Sequence, residues 1–397
     1  MIQSMTLADK KTVDNIKDLV NQIYAEITNT SLKKRYGIKI DKNNSDPNTR
    51  VEYIYDAKDF TPASLKNDVF DYGSWKDIWF VKNNIPVVLG FDGKEKYKLD
   101  PNDYSKKIDG SDSNINSMDC DGNAMSKIPL VWVSFTEDES YQYISVSPIK
   151  YDESYNALAY TDDNNNIVDN IYLAMFEGYI DDKNRLRSLL DFEPSTGRTI
   201  SSYKNSAKAN GDKWKIRNIY QRQLINALLM IIGKTTDSQS VFGNGIVMND
   251  TSHFINTGNI HGKQFNGKSS VYDSAINIFH MENWWGNTSE FLDKIIMKYG
   301  SYKIDDKNVN IDLDKSSSYV GFIGKSVCTD FGVFPSDLNG SSSTFLADGF
   351  SYNPDIEATG IVGGAVNDSS LCGMNCISFI LEKNNVSDFV GASLSYL

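Results

Sequence analysis

The sequence predicts an α+β protein in which an N-terminal helix and a small β-rich module precede a large domain with long loops. Three observations predict it. Apolar residues recur at helical spacing over 7–28 and again over 214–232. Between residues 51 and 176, short runs alternate apolar and polar residues and are bounded by Asn, Asp, Gly and Pro. Beyond Ser238 the chain is rich in Gly, Asn and Ser, broken by aromatic islands such as Val320-Gly-Phe-Ile323 and Gly349-Phe-Ser-Tyr352. Loops of that length usually carry function.

In the first element, Val13, Ile16, Val20, Ile23 and Ile27 follow a three-four-three-four spacing, which is a heptad seam. β-Branched residues at both core positions favour trimers, so residues 1–30 read as a trimeric coiled-coil stub and the protein as a homotrimer. A single amphipathic helix lying on its own domain or on a partner has the same pattern, because only about two heptads are visible.

Residues 31–115 read as the β-rich module, with strands at Val51-Glu-Tyr-Ile-Tyr55 and Ile85-Pro-Val-Val-Leu89. The small, polar stretch 108–116 is the expected boundary, and residues 116–397 form the large domain. Its early strands are expected at Leu130-Val-Trp-Val-Ser-Phe135, Tyr141-Gln-Tyr-Ile-Ser-Val146 and Ile171-Tyr-Leu-Ala-Met-Phe176. A short polar helix is expected at Ile200–Lys208 and a longer one at 214–232, closed by Gly233.

Composition excludes several classes of function. The 397 residues carry a net charge of −12, with no clustered Lys and Arg to meet a polyanion, so nucleic acid is not an expected partner. The longest apolar run, 224–232, is less than half of the roughly 20 residues a membrane span needs, so no membrane insertion is expected. Asp and Lys stand in the first eleven residues where a secretory leader would be apolar, so no leader is expected. Four cysteines, Cys120, Cys328, Cys372 and Cys376, are too few and scattered for a disulfide framework.

The most informative stretch is Phe279-His-Met-Glu-Asn-Trp-Trp-Gly-Asn-Thr-Ser-Glu-Phe-Leu-Asp293, taken with Gly363-Gly-Ala-Val-Asn-Asp368 and Gly391-Ala-Ser-Leu-Ser-Tyr396. Paired tryptophans followed by Gly-Asn place a large apolar area beside a sharp turn. Together with Met125-Ser-Lys-Ile-Pro-Leu-Val-Trp132, Ile171-Tyr-Leu-Ala-Met-Phe-Glu-Gly178, the helix end at 228–233 and Thr236-Asp-Ser-Gln239, these motifs stand in a family's order. The chain resembles the C-type-lectin-like fold of formylglycine-generating (sulfatase-modifying) factors and of phage receptor-binding proteins, including the variable proteins of diversity-generating retroelements. The resemblance covers about 116–397. Residues 37–54 are similar to the attachment modules that precede such domains in phage tail proteins.

The resemblance implies a receptor-binding protein of a phage tail or phage-tail-like particle, located in the virion tail. Non-catalytic adhesion would use surface polysaccharide or a surface-layer protein of the bacterium, with tail or baseplate proteins as partners. In the relatives the variable positions lie in the C-terminal region, which points to Phe350, Tyr352, Asn353, Asn367 and Asp368 as receptor-binding residues. The composition of 340–353 and 366–371, small polar residues with aromatics, is also that of paratopes. The tryptophan pair is expected in the core. The alternatives are a structural baseplate or tail protein, an oxidase of the formylglycine-generating type, and a glycan hydrolase.

No cofactor, metal or catalytic residue is expected. Cys372-Gly-Met-Asn-Cys376 has a three-residue spacer where the oxidases have four, and buried thiols are ordinary core residues. Asn353-Pro-Asp355 and Val366-Asn-Asp368 echo the calcium triplets of sugar-binding lectins, but Asn353 replaces an acidic or Gln ligand and Val366 replaces Trp. Both triplets are also common turn formers. Asp119-Cys-Asp-Gly-Asn123 begins like a calcium loop but has Ala124 where position six needs glycine, Asp162-Asp-Asn-Asn-Asn166 reads as a hairpin tip, and His280 reads as a core hydrogen-bonding group.

Overall fold

The computed structural model describes residues 33–247, 254–309, 311, 313 and 319–397. The expected helix at 7–28, and with it the trimer stub, lies outside them. Strands predominate, and most belong to three sheets.

The first sheet runs Val51–Tyr55, Tyr36–Asp41, Tyr141–Ser147, Trp132–Glu137, antiparallel throughout. Its period-two alternation sends Ile38, Ile40, Val51, Tyr53, Val133, Phe135, Ile144 and Val146 to one buried face. That face packs on the helix Ile219–Gly233, whose every residue is buried. The Tyr53 hydroxyl donates to the carbonyl of Ile232 at the helix end (3.2 Å).

The central sheet has seven strands in the order Trp214–Ile216, Leu394–Tyr396, Asn170–Ala174, Asn123–Pro129, Ile85–Leu89, Glu95–Asp100, Asp103–Lys107. Three of the elements that carry the lectin-like resemblance, at 125–132, 171–178 and 391–396, are therefore lateral neighbours. The expected domain boundary at 116 does not divide this structure. Ile85–Leu89 pairs along its length with Asn123–Pro129, and Tyr36–Asp41 pairs with Tyr141–Ser147, so both sheets take strands from each side of it. The stretch 108–116 is a loop within one sheet system, and its polarity reflects exposure rather than a linker.

The third sheet runs Lys307–Val309, Ser301–Ile304, Ser289–Lys298, Glu357–Val362, Ile377–Glu382, Gly349–Tyr352, Tyr319–Phe322, with Val390–Gly391 parallel to the start of Ser289–Lys298. The half beyond Ser238 thus sets an extended sheet among its long loops. Its longest strand hides from pattern reading because the register shifts between Phe291 and Ile296, where Lys294 adopts φ +64°. The shift places Phe291 and Leu292 both in buried positions and breaks the alternation.

The helix Ile200–Lys208 forms as expected, capped by Thr199. The next one starts later than its apolar spacing implies. Asn218 and Gln221 form a reciprocal capping box, a device that contributes about 1 kcal/mol, and Trp214–Ile216 pairs instead with the C-terminal strand. Gly233 is the last helical residue, and Lys234 takes the left-handed position that ends the helix. Among the described residues no helix is long and apolar enough to cross a membrane.

Candidate functional site

The tryptophan segment is scaffold. Trp284 and Trp285 are 1% and 0% exposed. The Trp284 indole N–H donates to Asn226 (3.0 Å), and that of Trp285 is shared between the carbonyls of Gly243 and Asn244. The guanidinium groups of Arg222 and Arg217 lie over the Trp284 ring at 4.4 and 4.8 Å. Arg217 pairs with Glu290 (2.8 Å), while Arg222 donates to the carbonyls of Trp284 and Met374. Gly286 makes the turn between them possible. Its φ is +81°, and a Cβ there would stand 2.8 Å from the backbone of Ile246.

Through this hub the loop 363–376 is held in place. The amide of Val366 donates to Asn287 O, Arg222 and Asn226 both reach Met374 O, and Gly364 (φ +79°) leaves room for the Cys372 sulfur, 2.5 Å from where its Cβ would be. Beneath lie buried carboxyls. Glu177 accepts from Asn283, Asn287 and Thr288, and Glu282 accepts from the amides of Gly258 and Asn259. Burial pushes the carboxyl of Glu177 up to about 7 and that of Glu282 up to about 8, the hydrogen bonds pulling back only in part. Burial also depresses the pKa of His280 to about 3.

These shifts set a pH dependence. Each carboxyl holds its proton more tightly when folded, so its contribution to stability is complete below the unfolded value near 4.5 and is lost as pH rises through 7 to 8. His280 acts oppositely, contributing fully above 6.5 and losing that contribution as pH falls. Above pH 6.5 only the carboxyls act. The melting temperature is therefore expected to fall between pH 6.5 and 8.5, and Glu282→Gln to flatten the slope; a flat or rising wild-type profile across that window contradicts the assignment.

On this scaffold the third sheet and its loops enclose a cleft of about 290 Å³. Val320, Ser351 and Ser378 stand side by side across three strands, with Ile380 two residues along. Ser351 donates to Ser378 (2.7 Å), while Val320 and Ile380 are 70% and 48% exposed. Asn367, exposed, and Asp368 stand on the loop wall, opposite Phe389 and Ser387 from the segment before the last strands. Asp368 accepts from the amide of Ala365 (2.7 Å), and burial raises its carboxyl pKa.

The structure brings together three of the five expected site residues, Phe350, Asn367 and Asp368, and corrects the role of the aromatics. Phe350 and Tyr352 are 1% and 3% exposed; their rings stack on each other, Phe350 also stacks on Tyr302, and Tyr352 meets the partly buried Tyr319 at a tilt. In Gly-Phe-Ser-Tyr the strand alternates, so turning the aromatics inward turns Ser351 outward. Phe350 borders the cleft but offers no exposed ring, and Tyr352 and Asn353 are outside it. The Asn353 side chain accepts from the amide of Asp355, closing a turn. Val320, Ser351, Ser378 and Ile380 were not expected; the period-two pattern of Gly349–Tyr352 is the signal that points to Ser351.

The remaining candidates are structural. The carbonyls of Cys120 and Gly122 and the Asn123 side chain accept from buried Arg187, and Asp162 closes the 162–166 tip by accepting from Asn164 and Asn166. His280 bonds the Tyr104 hydroxyl (2.8 Å). Cys372 and Cys376 are free thiols whose pKa burial raises, opposite to what a thiolate ligand needs. Among the described residues no three His, Cys, Asp or Glu side chains gather as a metal site.

No protein-family model matches the chain, and no curated protein matches it. Among solved structures, a U1 variant of Major Tropism Determinant aligns with a TM-score of 0.33 and 8% identity, covering 79% of this chain and 71% of that one. The likeness is weak.

Proposed function

We propose that this protein is a receptor-binding protein of a phage tail or phage-tail-like particle, adhering without catalysis to the bacterial surface through the cleft on its third sheet. The observation that carries the reading is the outward face of that sheet. It presents exposed apolar side chains beside paired hydroxyls, with an exposed Asn on the bordering loop, the composition of a recognition surface, where a solvent-facing sheet would carry charges. The ordered motifs that resemble lectin-like adhesins support it, as does the convergence of three of them in the central sheet. Homotrimeric assembly, and attachment through the N-terminal residues, belong to the same reading; several weak sites on one particle then act by avidity. The reading is tested with the labelled full chain on a panel of bacterial strains. Saturable binding to a subset of strains is expected; uniform absence of binding, with retention only on tail or baseplate proteins, establishes the assembly role instead.

A further inference from the structure

A second and larger cleft, about 680 Å³, lies on a different face, between the hairpin Ser64–Asp71, the helix Trp79–Lys82, the end of Glu95–Asp100 and residues 263–266. Its wall is aromatic. Phe70 stacks on Phe265 at 4.8 Å and Tyr72 meets Phe265 edge-on at 5.7 Å, with Phe70 and Tyr72 both partly buried. Val69 and Ile108, 68% and 66% exposed, form apolar lips.

The rim is basic in an acidic protein. Lys76, Lys82, Lys98 and Lys263 line it with Asp77 as the single carboxylate, and none of these lysines forms an ion pair among the described residues. Other surface lysines here do pair, as Lys96 does with Asp121 and Lys127 with Glu95. Four ammonium groups without a carboxylate partner, around a concave, partly apolar surface, concentrate positive potential where an anion would enter.

At the back of the cleft stands His280, 3% exposed. Its Nδ1 meets the Tyr104 hydroxyl, and that hydroxyl has one proton, which it donates to the carbonyl of Lys263 (2.9 Å). The same hydroxyl accepts from the Asn277 side chain (3.3 Å), so His280 is fixed in the wall by a buried polar cluster.

We propose that this cleft binds an acidic saccharide: the sugar ring lies on Tyr72 and Phe70, and its carboxylate or phosphate is met by the lysine rim. Aromatic faces take the apolar face of a pyranose, and the mixed lining suits a ligand both ring-bearing and anionic. The inference goes beyond the proposed adhesion cleft and does not depend on it.

Calorimetric titration of the full chain with oligogalacturonate, a phosphorylated mannose oligosaccharide, neutral dextran oligomers and inorganic polyphosphate tests it. At least one acidic saccharide is expected to bind, about tenfold or more tighter than dextran or polyphosphate, more weakly at high salt. Which of the two binds names the acid. Lys82→Glu with Lys98→Glu, at exposed positions, is expected to lower that affinity about tenfold or more with an unchanged melting temperature. Ile380→Glu in the other cleft is expected to leave it unaltered, so failure here and failure of the adhesion reading are separate results. Absence of binding by both acidic saccharides, equal binding of dextran or polyphosphate, or full affinity in the Lys82→Glu, Lys98→Glu variant overturns the proposal.

Discussion

A fragment of residues 116–397 is expected not to fold, whereas 33–397 unfolds cooperatively. Cutting at 116 removes Ile85–Leu89, Glu95–Asp100 and Asp103–Lys107 from the central sheet and half of the first sheet. It leaves Asn123–Pro129 as a raw edge and strips away Ile38, Ile40, Trp75, Phe80, Val87 and Leu89, each buried to 0% exposure. At about 1.5–3 kcal/mol for each large apolar side chain, these six alone represent roughly 10–20 kcal/mol. That matches or exceeds the 5–15 kcal/mol, roughly, that holds a typical domain together. Near-ultraviolet circular dichroism and a thermal melt of the two fragments decide the matter; a native-like, cooperative melt of 116–397 contradicts the shared-sheet account.

Trp284→Ala carries the second large effect. Emptying a buried tryptophan site costs about 3–5 kcal/mol. Here the ring also faces two guanidinium groups, and its N–H is the donor to Asn226. Loss of desolvated cation–π contacts and of one buried hydrogen bond adds about 1–3 kcal/mol. Denaturant unfolding is expected to show a loss of about 5 kcal/mol or more, with Trp284→Phe, which keeps a ring face but no donor, losing less. A loss under about 1 kcal/mol for the alanine variant would show that the hub does not organise the C-terminal loops.

The sequence shows the pieces better than their joins. Val51–Tyr55, Ile85–Leu89 and Ile200–Lys208 are readable because local alternation or helical spacing is undisturbed. The buried tryptophan pair is readable because its bulk and its adjoining turn have few other uses. The third sheet is not, since the register shift at Lys294 interrupts the pattern. Nor is the unity of the two expected domains, because the pairing of 85–89 with 123–129 is a long-range choice that no local signal records.

The sites follow the same division. Asn367 and Asp368 are readable from loop composition, and both line the cleft on the third sheet. Phe350 and Tyr352 mislead because aromatic content says nothing of which face a strand turns outward; Ser351 and Ser378, paired across parallel strands, become neighbours only in the fold. The basic cleft could not be found, since Lys76, Lys82, Lys98 and Lys263 come from distant segments.

Adhesion to the bacterial surface through the cleft on the third sheet is the proposed function, and one comparison bears on it without intermediaries. Cell binding of the full chain is measured against the Ile380→Glu, Asn367→Ala double variant, on a strain that the wild type binds. Both positions are exposed, so an unchanged melting temperature is expected, together with a loss of affinity of about tenfold or more, the consequence of a charge set into an apolar contact and a lost polar group. Undiminished binding by a correctly folded double variant would contradict the claim and move adhesion to another face of the protein.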